Sequence, residues 1–247
     1  MNDKNKKKVQ PKKQTKMSQI VKLVASKQPA THALIFLHGL GDSGHGWSFL
    51  GQHLQAMDPI AFQSTTFIFP TAPTIGITAN GGHPMNAWFD LMEWDPEMRQ
   101  FDNAGYLKTL NSVVKDYVKH AMDEGIPAEN IILGGFSQGA AIALGSAISL
   151  PWKLGGFISL SGFISCHKEL FVKLDKDLHN KDTPIFHGHG DADPVVAVSR
   201  GMGSLDWIIG TYGFQKAEFH TYKGLQHSAD EQELRDVYQF VKKCWNL

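Results

Sequence analysis

Residues 130–141 read Asn-Ile-Ile-Leu-Gly-Gly-Phe-Ser-Gln-Gly-Ala-Ala. A short apolar run enters a cluster of glycines around Ser137, and an alanine-rich stretch leaves it. Gly135-Phe136-Ser137-Gln138-Gly139 fits the pattern G-x-S-x-G, in which a serine sits on a tight turn between a strand and a helix. Five residues alone also fit a glycine-rich turn whose serine merely caps a helix. The flanks favour the first reading, because "NIIL" has the character of a buried strand and "GAAIALGSAISL" that of a buried helix. The glycines then have a steric purpose: side chains at 135 and 139 would collide with the neighbouring strand or helix. The amides that open the following helix lack intrahelical partners and can face a developing oxyanion.

The same alternation continues along the chain. Short apolar runs bounded by Gly or Pro lie at His32–Leu37, 66–69, 130–133, Gly156–Leu160, 184–187 and Ala217–Tyr222, with a further edge strand near 20–24. Between them, helices are expected at 105–124, 138–150, Val198–Tyr212 and 229–244. In the first, Leu107, Leu110, Val114, Tyr117, Val118 and Ala121 fall on one helical face, and Gly125 ends it. Continuous apolar strands alternating with helices predict an α/β fold: a mostly parallel sheet with helices on both faces. Residues 71–103, rich in Pro, Gly, Asn, Trp and Met, are expected to form a long irregular loop, and such loops are usually functional.

Composition agrees with one folded unit. The chain has 247 residues, of which 42% are hydrophobic, enough for a sizeable core. Two cysteines, Cys166 and Cys244, exclude a disulfide framework. No run has the length of a membrane span or the pattern of a secretory signal. The expectation is a soluble cytoplasmic protein, with the nucleus as a further location. Formal net charge is zero, yet residues 1–16 carry seven lysines against the single acid Asp3. This polar, aperiodic tail, residues 1–17, is expected to be a disordered solubilising extension preceding one domain over 18–247. Weak attraction to anionic membranes is the alternative. No nucleic-acid partner is expected.

A serine hydroxyl needs a positioned base to act as a nucleophile at neutral pH. In this kind of fold the partners follow in the order acid, then histidine. "PIFHGHGDADPVV" offers Asp191 and Asp193 beyond the end of one strand, and "FHTYKGLQHSAD" offers His227 beyond the next. Active groups gather past the carboxyl ends of parallel strands, so topology alone brings these loops to one edge. His187 and His189 are rival bases, but they precede the aspartates. Asp191 also suits a turn, and Asp193 precedes a proline that favours extended backbone. The oxyanion needs a second donor from the loop after an early strand. "LIFLHGLGDSG" supplies the amide of Leu40 to pair with that of Gln138. This loop matches neither G-x-G-x-x-G nor the phosphate loop with its lysine, which argues against nucleotide binding.

Taken together, "FLHGLGDSG", "AWFD", "NIILGGFSQGAA", "HGDADPVV" and "YKGLQHS" occur in this order over residues 34–228. The chain resembles the acyl-protein thioesterase and lysophospholipase family of small α/β-hydrolases. The resemblance implies an α/β-hydrolase fold, with Ser137 as nucleophile, Asp193 as acid, His227 as base, and Leu40 and Gln138 as oxyanion donors. It implies no metal and no organic cofactor. Its substrates would be S-acylated proteins, with lysophospholipids as a second class and small carboxylic esters as the alternative. A non-catalytic, hydrolase-like binding module is the remaining alternative, set behind by the intact motif set. The acyl chain would bind in an apolar groove from the 71–94 region, with Met85, Trp88 and Phe89 as its wall. Transient membrane contact and a monomeric or weakly dimeric state are expected.

Overall fold

The computed structural model describes residues 19–94, 100–165, 171 and 178–247. The tail expected at 1–17, and Cys166, lie outside them. Seven strands form the central sheet in the order β1-β3-β2-β6-β7-β8-β9. In chain order, β1 is Ile20–Leu23, β2 His32–Leu37 and β3 Thr65–Pro70. Two strands outside the sheet, β4 (Thr74–Ile77) and β5 (His83–Asn86), pair as an antiparallel hairpin. The sheet continues with β6 (Ile131–Phe136), β7 (Gly156–Leu160), β8 (Ile185–Gly190) and β9 (Ala217–Tyr222). Only β1 runs antiparallel, against β3; the other neighbours are parallel.

The burial of the strands explains their composition. In β3, β7 and β8 every residue is buried, as is all of β2 beyond His32. A parallel sheet covered on both faces removes the usual alternation of apolar and polar positions. The outer strands β1 and β9 are mostly half-buried, as sheet edges are.

Helices cover both faces. One is covered by short α1 (Gly44–Trp47), α2 (Phe49–Met57) and, at the chain's end, α7 (Glu231–Trp245). Trp47, Leu50, Leu54, Val237, Phe240 and Val241 meet Phe36, Phe67 and Phe186 of the strands there. The opposite face carries α3 (Asn103–Lys108), α4 (Lys115–Asp123), α5 (Gln138–Ser149) and α6 (Val198–Tyr212). Each fully buried large apolar side chain contributes about 1.5–3 kcal/mol. All twelve residues of α5 are buried, so its alanines and glycines have a packing reason: only small side chains let a central helix lie close to the sheet.

Two helices are unexpected, and two expectations are corrected. Residues 44–57 form α1 and α2, which the sequence does not announce because "GHGWSFLGQHLQAM" carries three glycines and weak periodicity. The stretch 71–103 contains the β4–β5 hairpin and a 3-10 turn at Thr78–Asn80. Gly81 and Gly82 take positive φ at its bend. The helix expected at 105–124 begins at Asn103, where Asp102 accepts from the amide of Gly105, and widens into a π-helical segment at Thr109–Val114. It stops at Gly125, whose φ is 94°.

Candidate active site

The site is built around the turn from β6 into α5. Ser137 has φ 52° and ψ −114°, a backbone conformation costly for a residue with a side chain. Two features hold it there. The Ser137 amide donates to the Leu160 carbonyl at 2.8 Å, and the Ala141 amide donates to the Ser137 carbonyl at 2.9 Å. The flanking glycines permit the approach. A Cβ at Gly135 would lie 2.4 Å from the Gly139 carbonyl carbon, and one at Gly139 would lie 2.2 Å from the Leu37 carbonyl oxygen. Both contacts are with backbone, which cannot step aside.

Three loops then converge. The Ser137 hydroxyl lies 2.9 Å from His227 Nε2, and His227 Nδ1 lies 2.7 Å from Asp193 Oδ2. A carboxylate only accepts, so the proton sits on His227 Nδ1 and the Nε2 lone pair faces the hydroxyl. Phe136 packs beside the imidazole, ring centroids 4.7 Å apart. The amides of Val195 and Val196 both donate to Asp193 Oδ1, at 2.8 and 2.9 Å. Burial opposes ionisation of Asp193, but the hydrogen bonds from His227, Val196 and Val195 outweigh it and hold its carboxyl below the usual carboxylate range. Asp191 acts elsewhere, accepting at Oδ1 from the Gly224 amide at 2.6 Å and so tying two loops together.

The amides of Leu40 and Gln138 border the same cavity as Ser137. Among the described residues neither has an acceptor. The loop carrying Leu40 is braced from two directions. His38 is fully buried; its Nδ1–H donates to the Gly39 carbonyl at 2.6 Å, while Nε2 accepts from the Ala72 amide at 2.9 Å. Burial lowers its basicity further than the Gly39 hydrogen bond and nearby Asp42 raise it, so the neutral ring fits this pattern. From β5, Asn86 accepts from the Gly41 amide at 2.8 Å, and its side chain donates to the Asp42 carbonyl at 2.9 Å.

A cavity of about 300 Å³ opens onto Ser137. Met85, Phe89, Leu91, Met92, Trp94 and Phe101 supply much of its apolar lining. Trp88 is a correction. Its ring does not line the cavity but is buried against His38, with Nε1 donating to the His38 carbonyl at 2.8 Å. The indole has to satisfy its N–H, and inside the protein that acceptor lies away from the cavity.

Sequence reasoning missed several supporting groups. The Gln138 side chain accepts from the Trp88 amide and donates to the Phe89 carbonyl, both at 2.8 Å. Thr109, at the start of the π-helical segment, donates to the Trp88 carbonyl. None of these pairs is adjacent in sequence, so only the folded chain reveals them. His187 and His189, the rival bases, are buried beside Asp193, and the imidazole at the Ser137 hydroxyl is that of His227. Among the described residues no three or more His, Cys, Asp or Glu side chains gather as a metal site.

The arrangement provides a hydroxyl, a base aimed at it, an anion behind the base, two free amides and an apolar cavity. Comparison with known proteins agrees with this chemistry. Residues 18–245 match the family model described as Phospholipase/Carboxylesterase. Acyl-protein thioesterase 1 of Saccharomyces cerevisiae is 50% identical over 223 residues, covering 90% of this chain and 97% of that protein. The protein of the same name from Kluyveromyces lactis is 42% identical, covering 92% and 98%. Among solved structures, Arabidopsis thaliana SOBER1 superposes with a TM-score of 0.79 at 29% identity, covering 87% of this chain and 99% of its own. Zea mays acyl-protein thioesterase 2 gives 0.75 at 26% identity, covering 92% and 99%.

Proposed function

The chain belongs to the phospholipase/carboxylesterase family, and from that premise we propose that it is a serine hydrolase cleaving the thioester between long-chain acyl groups, such as palmitate, and cysteines of other proteins. The observation that carries the reading is the line Ser137–His227–Asp193, with contacts of 2.9 and 2.7 Å, opening on an apolar cavity. The names and identity of the yeast relatives support the substrate class.

In the proposed mechanism the acyl chain lies along Met85 and Phe89, with its carbonyl carbon at Ser137 Oγ. His227 Nε2 takes the hydroxyl proton as Oγ bonds to that carbon. Asp193 keeps the imidazole in the required tautomer and stabilises the imidazolium that forms. Negative charge develops on the carbonyl oxygen and is met by the amides of Leu40 and Gln138. Losing one such donor typically costs a hundredfold or more in rate. The intermediate collapses with loss of the cysteine thiolate, which receives the proton from His227. Water, deprotonated by His227, then attacks the acyl-enzyme. The fatty acid leaves and Ser137 regains its proton. Each methylene of the chain buried in the cavity strengthens binding by about 0.8 kcal/mol.

Lysophospholipids, which also present a long acyl chain on an ester carbonyl, are proposed as a second substrate class. A cytoplasmic site of action, transient membrane contact and a monomeric or weakly dimeric state belong to the same proposal. The low cysteine count supports the first of these.

The test is kcat/KM on an S-palmitoylated peptide beside a short-chain oxygen ester, with Ser137→Ala as control. A preference for the palmitoyl thioester that vanishes in the variant is expected. Hydrolysis of the short ester alone would move the reading to a general carboxylesterase, and full activity in Ser137→Ala would remove Ser137 from the chemistry.

A further inference from the structure

Beside Asp193 lie two buried histidines that the mechanism above does not use. His187 and His189 are neighbours on one face of β8, their rings stacked at 9° with centroids 5.5 Å apart. His189 Nε2 lies 2.8 Å from the Val196 carbonyl and 3.5 Å from Asp193 Oδ2. Both are acceptors, so Nε2 carries a proton. His187 Nε2 lies 3.2 Å from His189 Nδ1, which leaves one proton to share between them. Burial disfavours charge on either ring, so His189 is neutral with a bare Nδ1, and His187 donates to it through Nε2–H. The order of donation is therefore His187 to His189 and His189 to Val196, with Asp193 Oδ2 3.5 Å from the same Nε2.

The surroundings are fitted to this pair. Gly201 of α6 lies against it: a Cβ there would stand 2.5 Å from His189 Nδ1 and 2.8 Å from His187 Nε2. A helix interior ordinarily disfavours glycine relative to alanine. Here a methyl group would displace the hydrogen-bonded rings. From β9, Phe219 stacks on His187 at 4.7 Å. The titratable groups that face His189 are His187, Asp193 and His227. Next to Gly201 on α6, the guanidinium of Arg200 lies over the Phe163 ring at 4.1 Å.

We propose that His189, steadied by His187, is a positioning residue of the catalytic array: it anchors the 193–196 turn through the Val196 carbonyl and sets its Nε2–H edge close to the Asp193 carboxylate. Asp193 Oδ2 then has two imidazoles near it, His227 at 2.7 Å and His189 at 3.5 Å. The turn matters as much as the direct contact. The amide of Val196 holds Asp193 Oδ1 while its carbonyl is held by His189, so one residue links the buried ring to the acid. The His227 imidazole becomes charged during the reaction. His189 stays neutral and, by fixing the turn, keeps the carboxylate in line. This inference rests on the serine-hydrolase reading and deepens it.

The test uses the full chain, a p-nitrophenyl butyrate assay across pH, and nitrogen-15 NMR of histidine-labelled protein. In the wild type, both buried histidines should be neutral, protonated on Nε2, and unchanged between about pH 5.5 and 8. His189→Leu removes the N–H while keeping apolar bulk. Its kcat should fall about tenfold or more with KM little changed. The acid limb of its kcat/KM profile should move upward, because a carboxylate that loses a nearby N–H dipole holds the imidazolium more tightly. His189→Gln offers an amide N–H to the same acceptors and should recover most of the rate. Wild-type kcat and an unmoved limb in His189→Leu would overturn the proposal. So would equal damage in both variants with the limb unmoved, which marks packing alone. If His189→Leu does not fold, the NMR decides: a His189 protonated on Nδ1, or one that gains charge in this range, refutes the donor chain. A wild type that neither hydrolyses the ester nor reacts with a fluorophosphonate would instead refute the hydrolase reading, and this inference with it.

Discussion

Replacing Gln138 separates what its main chain does from what its side chain does. The amide at 138 borders the cavity beside Ser137 and survives any substitution except proline. The side chain does something else: it accepts from the Trp88 amide and donates to the Phe89 carbonyl, each at 2.8 Å. Trp88 and Phe89 are only 2% and 3% exposed, so water has little access to the groups that alanine would orphan. A buried polar group left without its partner costs about 1–3 kcal/mol. Two of them give roughly 2–5 kcal/mol for Gln138→Ala, allowing some relaxation. In a chain of this length 1 kcal/mol corresponds to about 2–4 °C, so Tm should fall by roughly 5–15 °C. Gln138→Glu is the sharper probe. It keeps the shape and the acceptor for Trp88, but turns a second oxygen toward the Phe89 carbonyl, where an N–H stood. At neutral pH it should be at least as damaging as alanine, and it should recover as acid protonates the carboxyl and restores a donor. The assay is thermal unfolding of the three proteins from about pH 4.5 to 8, with kcat/KM for a short and a long acyl ester. Because Phe89 lines the cavity, the long ester should lose more than the short one. A Gln138→Ala protein melting within about 2 °C of wild type, or a Gln138→Glu protein indifferent to pH, would refute the reasoning.

Four further outcomes follow from the same geometry. Gly139→Ala places a methyl group 2.2 Å from the Leu37 carbonyl oxygen and should abolish soluble folded protein. Gly203→Ala, on α6 with nothing within 4 Å of the new methyl, should raise stability by about 0.5–1 kcal/mol; equal melting temperatures for these two variants would contradict both. Glu233 is wholly buried with both carboxyl oxygens unpartnered, and burial pushes it from 4.5 up to about 8, with Asp230 and Asp236 adding to the rise. Its raised value favours the folded state fully below pH 4.5, and that contribution is lost as pH climbs toward about 8. Glu233→Gln should therefore melt higher than wild type above about pH 8 and differ little at pH 4.5, as differential scanning calorimetry would show. Asp193→Asn should leave folding nearly intact while lowering kcat on the order of 10⁴-fold, since the amide cannot hold His227 in the Nδ1–H tautomer; a loss below about tenfold would argue against the role proposed for Asp193.

Much of this protein was legible in one dimension because its controlling physics is local. A strand buried on both faces must be continuously apolar, and "HALIFL" and "GFISL" declare themselves. A nucleophile turn needs small residues at 135 and 139, so its glycines surround Ser137 in the sequence itself. Parallel topology then carries the loops bearing Asp193 and His227 to the edge that holds Ser137; the motif order sets His227 apart from His187 and His189, while the choice of Asp193 over Asp191 rests on the family resemblance and on the contact with His227. Local signals failed where local preference was weak or overruled. The glycines of 44–57 hid two helices whose stability comes from packing Trp47, Leu50 and Leu54 against the sheet. The hairpin at 74–86 and the π-helical turn at Thr109 answer to partners far along the chain. Trp88 has the composition of a substrate wall, and only the position of an acceptor for its indole N–H turned it inward. The identity of the reacting groups is thus written in short motifs, because each motif satisfies a constraint of its own backbone. Their alignment, the two histidines beside Asp193 and the lock made by Gln138 belong to the tertiary structure. Hydrogen bonds between residues tens of positions apart depend on distances of a few tenths of an ångström, and no pattern along the chain encodes those.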